Sequence, residues 1–378
     1  METMHKHKLL IVGSFPLMRG DYAENTFYGG INTSCEVIMD SVLAERYEIV
    51  PLDSSQNSMK PPGTFLRTIF AIKRILVLVS LLLFRQPSAA LIFASDGGSA
   101  LEKGLMIWIC NIFNCGTLIF PRAGNLIRQT SQSKIMLKLI KSLFGRASIF
   151  LCQGPQWRDY AIDTLGISES RVHVVNNWTA TKSKLEIGAS RNYESNESIA
   201  NILFVGWLED FKGVFDLLTA CLALRDAKFE FKLTLAGHGS AYADAYQFVL
   251  NNNLDAHVSF VGWVDSVVLD ELLGKTNIFV LPSWSEGLPN AMIESMAAGL
   301  AAIVTSVGVI PDFIENDQNG IIIPQKSPKK LEAALQRLIT DKPLRNRLAL
   351  NGHNMVRKEF SSELSIAELS KVIEELTS

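Results

Sequence analysis

The sequence predicts an α/β protein with two parallel-sheet domains. Three observations carry this. Short apolar runs alternate with helix-length segments, several of those runs end in glycine just before a helix, and a polar stretch interrupts the alternation near the middle of the chain. The 378 residues, 48% hydrophobic and 20% charged, supply enough apolar surface for two cores. That composition excludes a disordered or fibrous chain.

In chain order, residues 8–13 read as a first strand. A polar loop follows through Asn25, and Tyr28-Gly29-Gly30 then leads into a helix reaching about residue 46. Two glycines before a helix let a ligand approach the backbone, and the helix amino end offers unpaired N–H groups to an anion. A glycine turn without a ligand fits the same residues equally well. Residues 48–52 form a second strand, 65–84 a helix apolar nearly all round, 89–94 a strand and 101–113 a helix. A strand at 117–120 ends in Pro121-Arg122-Ala123-Gly124-Asn125.

In the next helix Lys134, Lys138 and Lys141 fall at i, i+4 and i+7, on one face of an otherwise apolar segment. Between residues 54 and 158 the only acids are Asp96 and Glu102, against thirteen Lys and Arg. These lysines therefore predict a helix facing an anionic membrane surface, with an ordinary solvated helix as the alternative. Short strands at 148–152 and 172–175 complete a first domain, residues 1–180. The Thr-, Lys-, Ser-, Asn- and Glu-rich residues 181–200 read as a linker.

The second domain, 201–360, opens with a strand ending in Gly206-Trp207. Lys212 then sits at the start of a helix, where the helix dipole disfavours a cation unless an anion is present or the group is solvated. A strand reaches Gly237-His238-Gly239, and another ends near Val264. Residues 278–281 are a buried-type strand, 282–287 turn chemistry, and Pro289 suits the first turn of a helix. Glu286 thus lies at the carboxyl end of a strand, where open α/β sheets place ligands. Glu294, the only charge between Gly287 and Ile310, lies inside the helix among apolar neighbours. A buried carboxylate needs donors at its oxygens. A solvated helix-face glutamate is the plainer alternative. A further strand, a turn at 306–311, a last strand at 319–324 and a helix at 331–339 complete the domain, and 361–378 is a final helix.

Several chemistries are excluded or disfavoured. Five scattered cysteines include no Cys-x-x-Cys pair and no zinc-type Cys/His spacing, as expected of buried thiols in a reducing compartment. Neither a Walker loop nor a Gly-x-Gly-x-x-Gly fingerprint occurs, which disfavours an ATPase or dehydrogenase. The longest apolar run, 75–84, is about half of what spans a bilayer, and residues 9–12 are too short for a signal-peptide core.

Glu286-Gly287-Leu288-Pro289-Asn290, with Glu294 and then Met296-Ala297-Ala298-Gly299, resembles the donor-site signature of the family 4 retaining glycosyltransferases of the GT-B fold. The resemblance implies two Rossmann-like domains facing each other across a cleft, the last helix crossing back to the first domain. It also implies roles. Glu286 contacts the donor sugar, Glu294 the ribose, and Gly287, Leu288, Pro289 and Asn290 line sugar and phosphate. Lys212 with Gly213 resembles the family's phosphate contact. Many members have Arg after the strand glycine, where this chain has Trp207 after Gly206. Gly29 and Gly30 resemble the glycine loop facing the donor phosphates, and the loops at Gly237 and Val264 border the nucleotide. The family often has a glycine where this chain has Val309. Many members also carry a His in the loop where this chain has Arg122 to Asn125, so Arg122 is expected to bring charge to the acceptor side, with Asn125 beside it.

The implied activity is transfer of a sugar from a nucleotide diphosphate sugar to an acceptor hydroxyl in bacterial surface polysaccharide or glycolipid assembly. No cofactor and no metal are expected, because no Asp-x-Asp anchor occurs. The expected partners are a nucleotide sugar donor, a sugar or lipid-linked acceptor and an anionic membrane surface, without nucleic acid. The expected location is cytoplasmic, at the inner face of the plasma membrane. A non-catalytic nucleotide-sugar binder and a GT-B nucleotide-sugar epimerase are the alternatives.

Overall fold

The computed structural model describes residues 6–15, 30–55, 63–193 and 199–377. It divides into two units, Met1–Trp178 with Glu363–Ser378, and Thr179–Ser362.

The first unit runs β1 (Lys8–Gly13), α1 (Gly30–Met39), α2 (Val42–Arg46), β2 (Glu48–Asp53), α3 (Thr64–Phe84), β3 (Ala89–Ala94), α4 (Gly97–Ile112) and β4 (Gly116–Pro121). It continues through α5 (Asn125–Gln132), α6 (Lys134–Phe144), β5 (Ile149–Cys152), α7 (Pro155–Asp159) and β6 (Val172–Val174). All strands pair in parallel in the order β2-β1-β3-β4-β5-β6. Strands with helices on both sheet faces must be apolar throughout, and Leu9 to Val12 and Ala89 to Ala94 are buried without a break.

The second unit runs α8 (Lys182–Ala189), β7 (Ala200–Val205), α9 (Val214–Asp226), β8 (Phe231–Ala236), α10 (Tyr242–Asn251), β9 (Val258–Gly262), α11 (Ser266–Lys275) and β10 (Ile278–Leu281). After these come α12 (Asn290–Ala297), β11 (Ala301–Thr305), α13 (Ile310–Phe313), β12 (Ile321–Ile323), α14 (Pro328–Thr340) and α15 (Lys342–Glu359). Its sheet has the order β12-β11-β10-β7-β8-β9. The winding reverses between β7 and β10, which pair directly at Ile278 with Ile202 and at Phe279 with Leu203. Such a reversal opens a crevice at the carboxyl ends of the two strands.

The last helix, α16 (Ser362–Thr377), belongs to the first unit. Its Ile366, Leu369, Val372 and Ile373 join Leu9, Ile11, Phe93 and Phe120 in one core, and Leu376 covers Gly116 so closely that a Cβ there would lie 2.9 Å from it. Arg46 adds an ion pair to Glu374.

Two expectations need correction. Residues 181–200 are not simply a linker, because α8 forms within them. Its Lys184 is buried and lies 3.0 Å from Asp270 on α11, so an ion pair does there what apolar packing does elsewhere. Lys212, expected at the start of a helix, lies ahead of one that begins only at Val214. A short 3-10 turn, Asp210–Lys212, precedes it, and Gly213 between them is left-handed at φ 71°. In α3 only Leu78 and Leu82 are buried, although a helix apolar all round ordinarily is a buried one.

Candidate active site

Both principal residues named from the sequence in the second unit lie at its β7/β10 crevice. Lys212 follows β7 and Glu286 follows β10. Lys212 Nζ approaches Glu286 Oε1 to 2.6 Å, the two side chains being 17% and 9% exposed. Seventy-four positions separate them in the sequence, and the pairing of β7 with β10 brings them together. The loops are locked to each other as well. The Trp284 amide donates to the Phe211 carbonyl at 2.7 Å, and Trp284 Nε1 donates to Asp216 Oδ2 at 2.9 Å.

Backbone space permits this approach at two glycines. A Cβ on Gly213 would lie 2.2 Å from the Pro282 carbonyl oxygen, and one on Gly308 would lie 2.4 Å from that of Glu286. Gly308 is left-handed at φ 57°, so the turn after β11 closes under the Glu286 loop there. Val309, at the position where the resemblance would put a second glycine, has φ −92° and donates its amide to the Gly287 carbonyl. That conformation suits valine, so no second glycine is needed.

Leu288 is buried, Pro289 is the N-cap of α12, and Asn290 opens that helix. The Met292 and Ile293 amides donate to the Pro289 carbonyl at 3.2 and 3.4 Å, so the positive end of the helix dipole lies at this loop. Glu294 is buried within α12 beside Met292, Ile293 and Met296, and it is engaged rather than bare. Gly206 and Gly237 end adjacent strands. The Gly206 amide donates to the Ala236 carbonyl at 3.0 Å and the Gly237 amide to that of Gly262 at 2.7 Å. Trp207 stacks edge-on against Trp263, ring centres 4.8 Å apart, next to Val264. The Trp263 Nε1–H is buried with no acceptor among the described residues. His238 accepts the Gly239 amide at Nδ1, which places its proton on Nε2 in the neutral ring, and it stacks on Tyr242 at 4.3 Å.

Sequence reasoning did not single out Lys326. Its Nζ lies 4.4 Å from the centre of the Trp284 ring, just past β12, and so puts a second cation at this sheet edge. The signal is faint in sequence, because only the order of the strands brings β12 beside the Trp284 loop. Among the described residues no group of three or more His, Cys, Asp or Glu gathers as a metal site would require.

In the first unit, Gly29 lies outside the described residues, and Gly30 begins α1, its carbonyl accepting from Ser34 Oγ at 2.9 Å. Arg122 follows β4, but it is not a loose loop cation. Its guanidinium lies 5.0 Å from the Phe120 ring, 5.7 Å from Trp178 and 6.0 Å from Phe93, and it donates to Ser34 Oγ at 3.1 Å. Burial pushes its pKa down to about 10, which leaves it charged near neutrality. Asn125 opens α5, donates to Asp96 Oδ2 at 2.5 Å and accepts from Arg128 at 3.0 Å. Lys134, Lys138 and Lys141 are exposed along α6.

A family model described as glycosyl transferases group 1 matches residues 189–355. An uncharacterized glycosyltransferase of Methanocaldococcus jannaschii is 32% identical over 191 residues, 50% of this chain and 52% of that protein. A capsular polysaccharide biosynthesis glycosyltransferase of Staphylococcus aureus is 25% identical over 237 residues, 56% of this chain and 61% of that protein. The chain thus spans about half the length of the first of these relatives, and rather more of the second. The structure of sucrose-phosphate synthase from Thermosynechococcus elongatus superposes with a TM-score of 0.76 at 17% identity, covering 98% of this chain and 99% of that one. The fold is therefore that of the GT-B glycosyltransferases.

Proposed function

We propose that this chain, whose residues 189–355 match the glycosyl transferases group 1 family, moves a sugar from a nucleotide diphosphate sugar to an acceptor hydroxyl with retention at the anomeric carbon. The observation that carries the reading is the Lys212–Glu286 pair at the switch point of the second sheet. Glu286 accepts from donor-sugar hydroxyls. Lys212 has three N–H donors, so it can keep one on Glu286 and turn others to the leaving diphosphate. Glu294 takes the ribose hydroxyls, and the amino end of α12 with Gly287 and Leu288 meets phosphate and sugar. Trp207 carries no charge, so Lys212 and backbone donors bear the diphosphate.

The bond from the anomeric carbon to the phosphate oxygen breaks as the bond to the acceptor oxygen forms on the same face, and the departing phosphate takes the acceptor proton. Negative charge grows on the diphosphate in that step, so fixed donors aimed at it lower the barrier. Glu286 orients the sugar and forms no covalent intermediate. We assign the acceptor side to Arg122 and Asn125, and no divalent metal to the reaction. The acceptor we infer is a sugar or lipid-linked sugar of a surface polysaccharide, met at the inner face of a membrane that the exposed Lys134, Lys138 and Lys141 attract. The relative named for capsular polysaccharide biosynthesis supports that acceptor class.

Incubation with a panel of UDP-, GDP- and ADP-sugars tests the reading. Nucleoside diphosphate release that depends on an acceptor is the expected result. Sugar isomerisation without an acceptor, or binding with no release, would replace it with one of the other readings.

A further inference from the structure

In the first unit, α4 packs between α3 and α6. Arg74 of α3 makes two hydrogen bonds to Glu102 of α4, at 2.6 and 3.0 Å, and a Cβ on Gly104 of α4 would lie 2.6 Å from Leu143 of α6. The inner sides of these helices cover the sheet face opposite the α16 core, since β-strand residues alternate between faces and Ile92 and Phe150 fall outside that core. The outer side is apolar where a soluble surface ordinarily is not. Phe65, Ile69, Ile72 and Leu76 are exposed at i, i+4, i+7 and i+11 of α3, Phe65 at 77%, and Leu105 and Trp108 continue the stripe onto α4.

The flanking charges are of one sign. Arg67 and Lys73 of α3 and Lys134, Lys138 and Lys141 of α6 are exposed, while the only acid on these three helices, Glu102, is turned inward and held by Arg74 and Lys103. We propose that this three-helix layer docks on an anionic lipid bilayer, with α3 lying in the interface plane and the α6 lysines on the headgroups. An apolar stripe bordered by long cationic side chains and a tryptophan suits the boundary between headgroups and acyl chains. An opposing protein surface would have to leave these cations unpaired or supply acids across the whole layer. Among the described residues no helix is long and apolar enough to cross a membrane, so the layer lies on the bilayer rather than through it.

This deepens the membrane-proximal part of the function proposed above and rests on that part, not on the transfer chemistry. The test is flotation of the full chain with phosphatidylcholine vesicles, with and without phosphatidylglycerol, while transfer to a soluble acceptor is followed in parallel. Wild type should float with anionic vesicles, and brominated lipid should quench tryptophan fluorescence in a way that Trp108→Phe removes. Changing Lys134, Lys138 and Lys141 to Gln should weaken binding at low salt by about fivefold per lysine, with the difference vanishing at high salt. The Phe65→Ser, Ile69→Ser, Ile72→Ser, Leu76→Ser variant, with an unchanged melting temperature, should lose the binding that survives high salt.

Wild type remaining unbound to anionic vesicles at low salt overturns the proposal, as does a four-serine variant that binds like wild type. A lipid-free dimer that the serine changes dissolve also overturns it, because a second copy then covers the face. Vesicle binding by a chain inactive in transfer supports this face and counts only against the transfer reading. An active chain that never floats counts only against this face.

Discussion

Glu286 is almost wholly buried and keeps one cation within hydrogen-bonding distance, so it is a fixed, oriented charge before any donor arrives. Changing it to Gln preserves size and removes charge, and it should lower transfer by on the order of 10²-fold or more. Steady-state rates on a protein of unchanged melting temperature measure this, and wild-type turnover would make the pair structural. His353 is a second residue with a readable charge state. Burial holds its pKa below the ordinary histidine value, helped by repulsion from Arg357, although its Nδ1 meets the Ala297 carbonyl at 2.7 Å. Below the ordinary value the unfolded chain binds a proton that the folded chain refuses, so stability is lost as pH falls through that window. Urea midpoints between pH 7 and 5 should fall more steeply for wild type than for His353→Gln, and parallel slopes would show that His353 is not the cause. Both carboxylates and Lys212 were legible as residues, because each sits in a short strand-loop-helix pattern. The approach of Lys212 to Glu286 was not, since it depends on which strands become neighbours.

At the scale of elements, the short buried strands and α12 follow directly from apolar runs and turn residues. Two of the missed helices, α8 and α11, bury little apolar surface, whereas α15 buries Leu344, Leu348, Ala349 and Val356; all three are also set by polar contacts. α8 is anchored through Lys184, α11 starts from an Asp265 cap that accepts the Val268 amide at 2.9 Å, and α15 starts from an Asp341 cap on Leu344 at 2.9 Å. The apolar outer face of α3 is the opposite case, in which pattern suggests burial and the fold leaves the side chains outside. α16 offers the direct element-scale test, because it lies at the far end of the chain from the core it completes. Leu369 is fully buried there, so Leu369→Ala should cost about 3 kcal/mol of first-unit stability in denaturant unfolding. A loss below about 1 kcal/mol, less than any buried leucine truncation of this kind, would mean that α16 is peripheral.

For the whole molecule, two parallel sheets could be read from the alternation of strands and helices, and their strand orders could not. Those orders carry the functional argument, since the reversal between β7 and β10 turns two separate motifs into one site. The chemistry assigned to that site uses Lys212, amides and helix ends for the leaving diphosphate. Transfer should therefore persist in EDTA, and complete loss restored by magnesium or manganese would require ligands other than those named here.

The central claim is same-face transfer at the Glu286–Lys212 site. The anomeric configuration of the product, read by NMR from the anomeric proton coupling while transfer proceeds, tests it most directly. The account predicts acceptor-dependent product with the donor's configuration from wild type and at least about a hundredfold less from Glu286→Gln. An inverted product, or equal yields of retained product from both proteins, would contradict it.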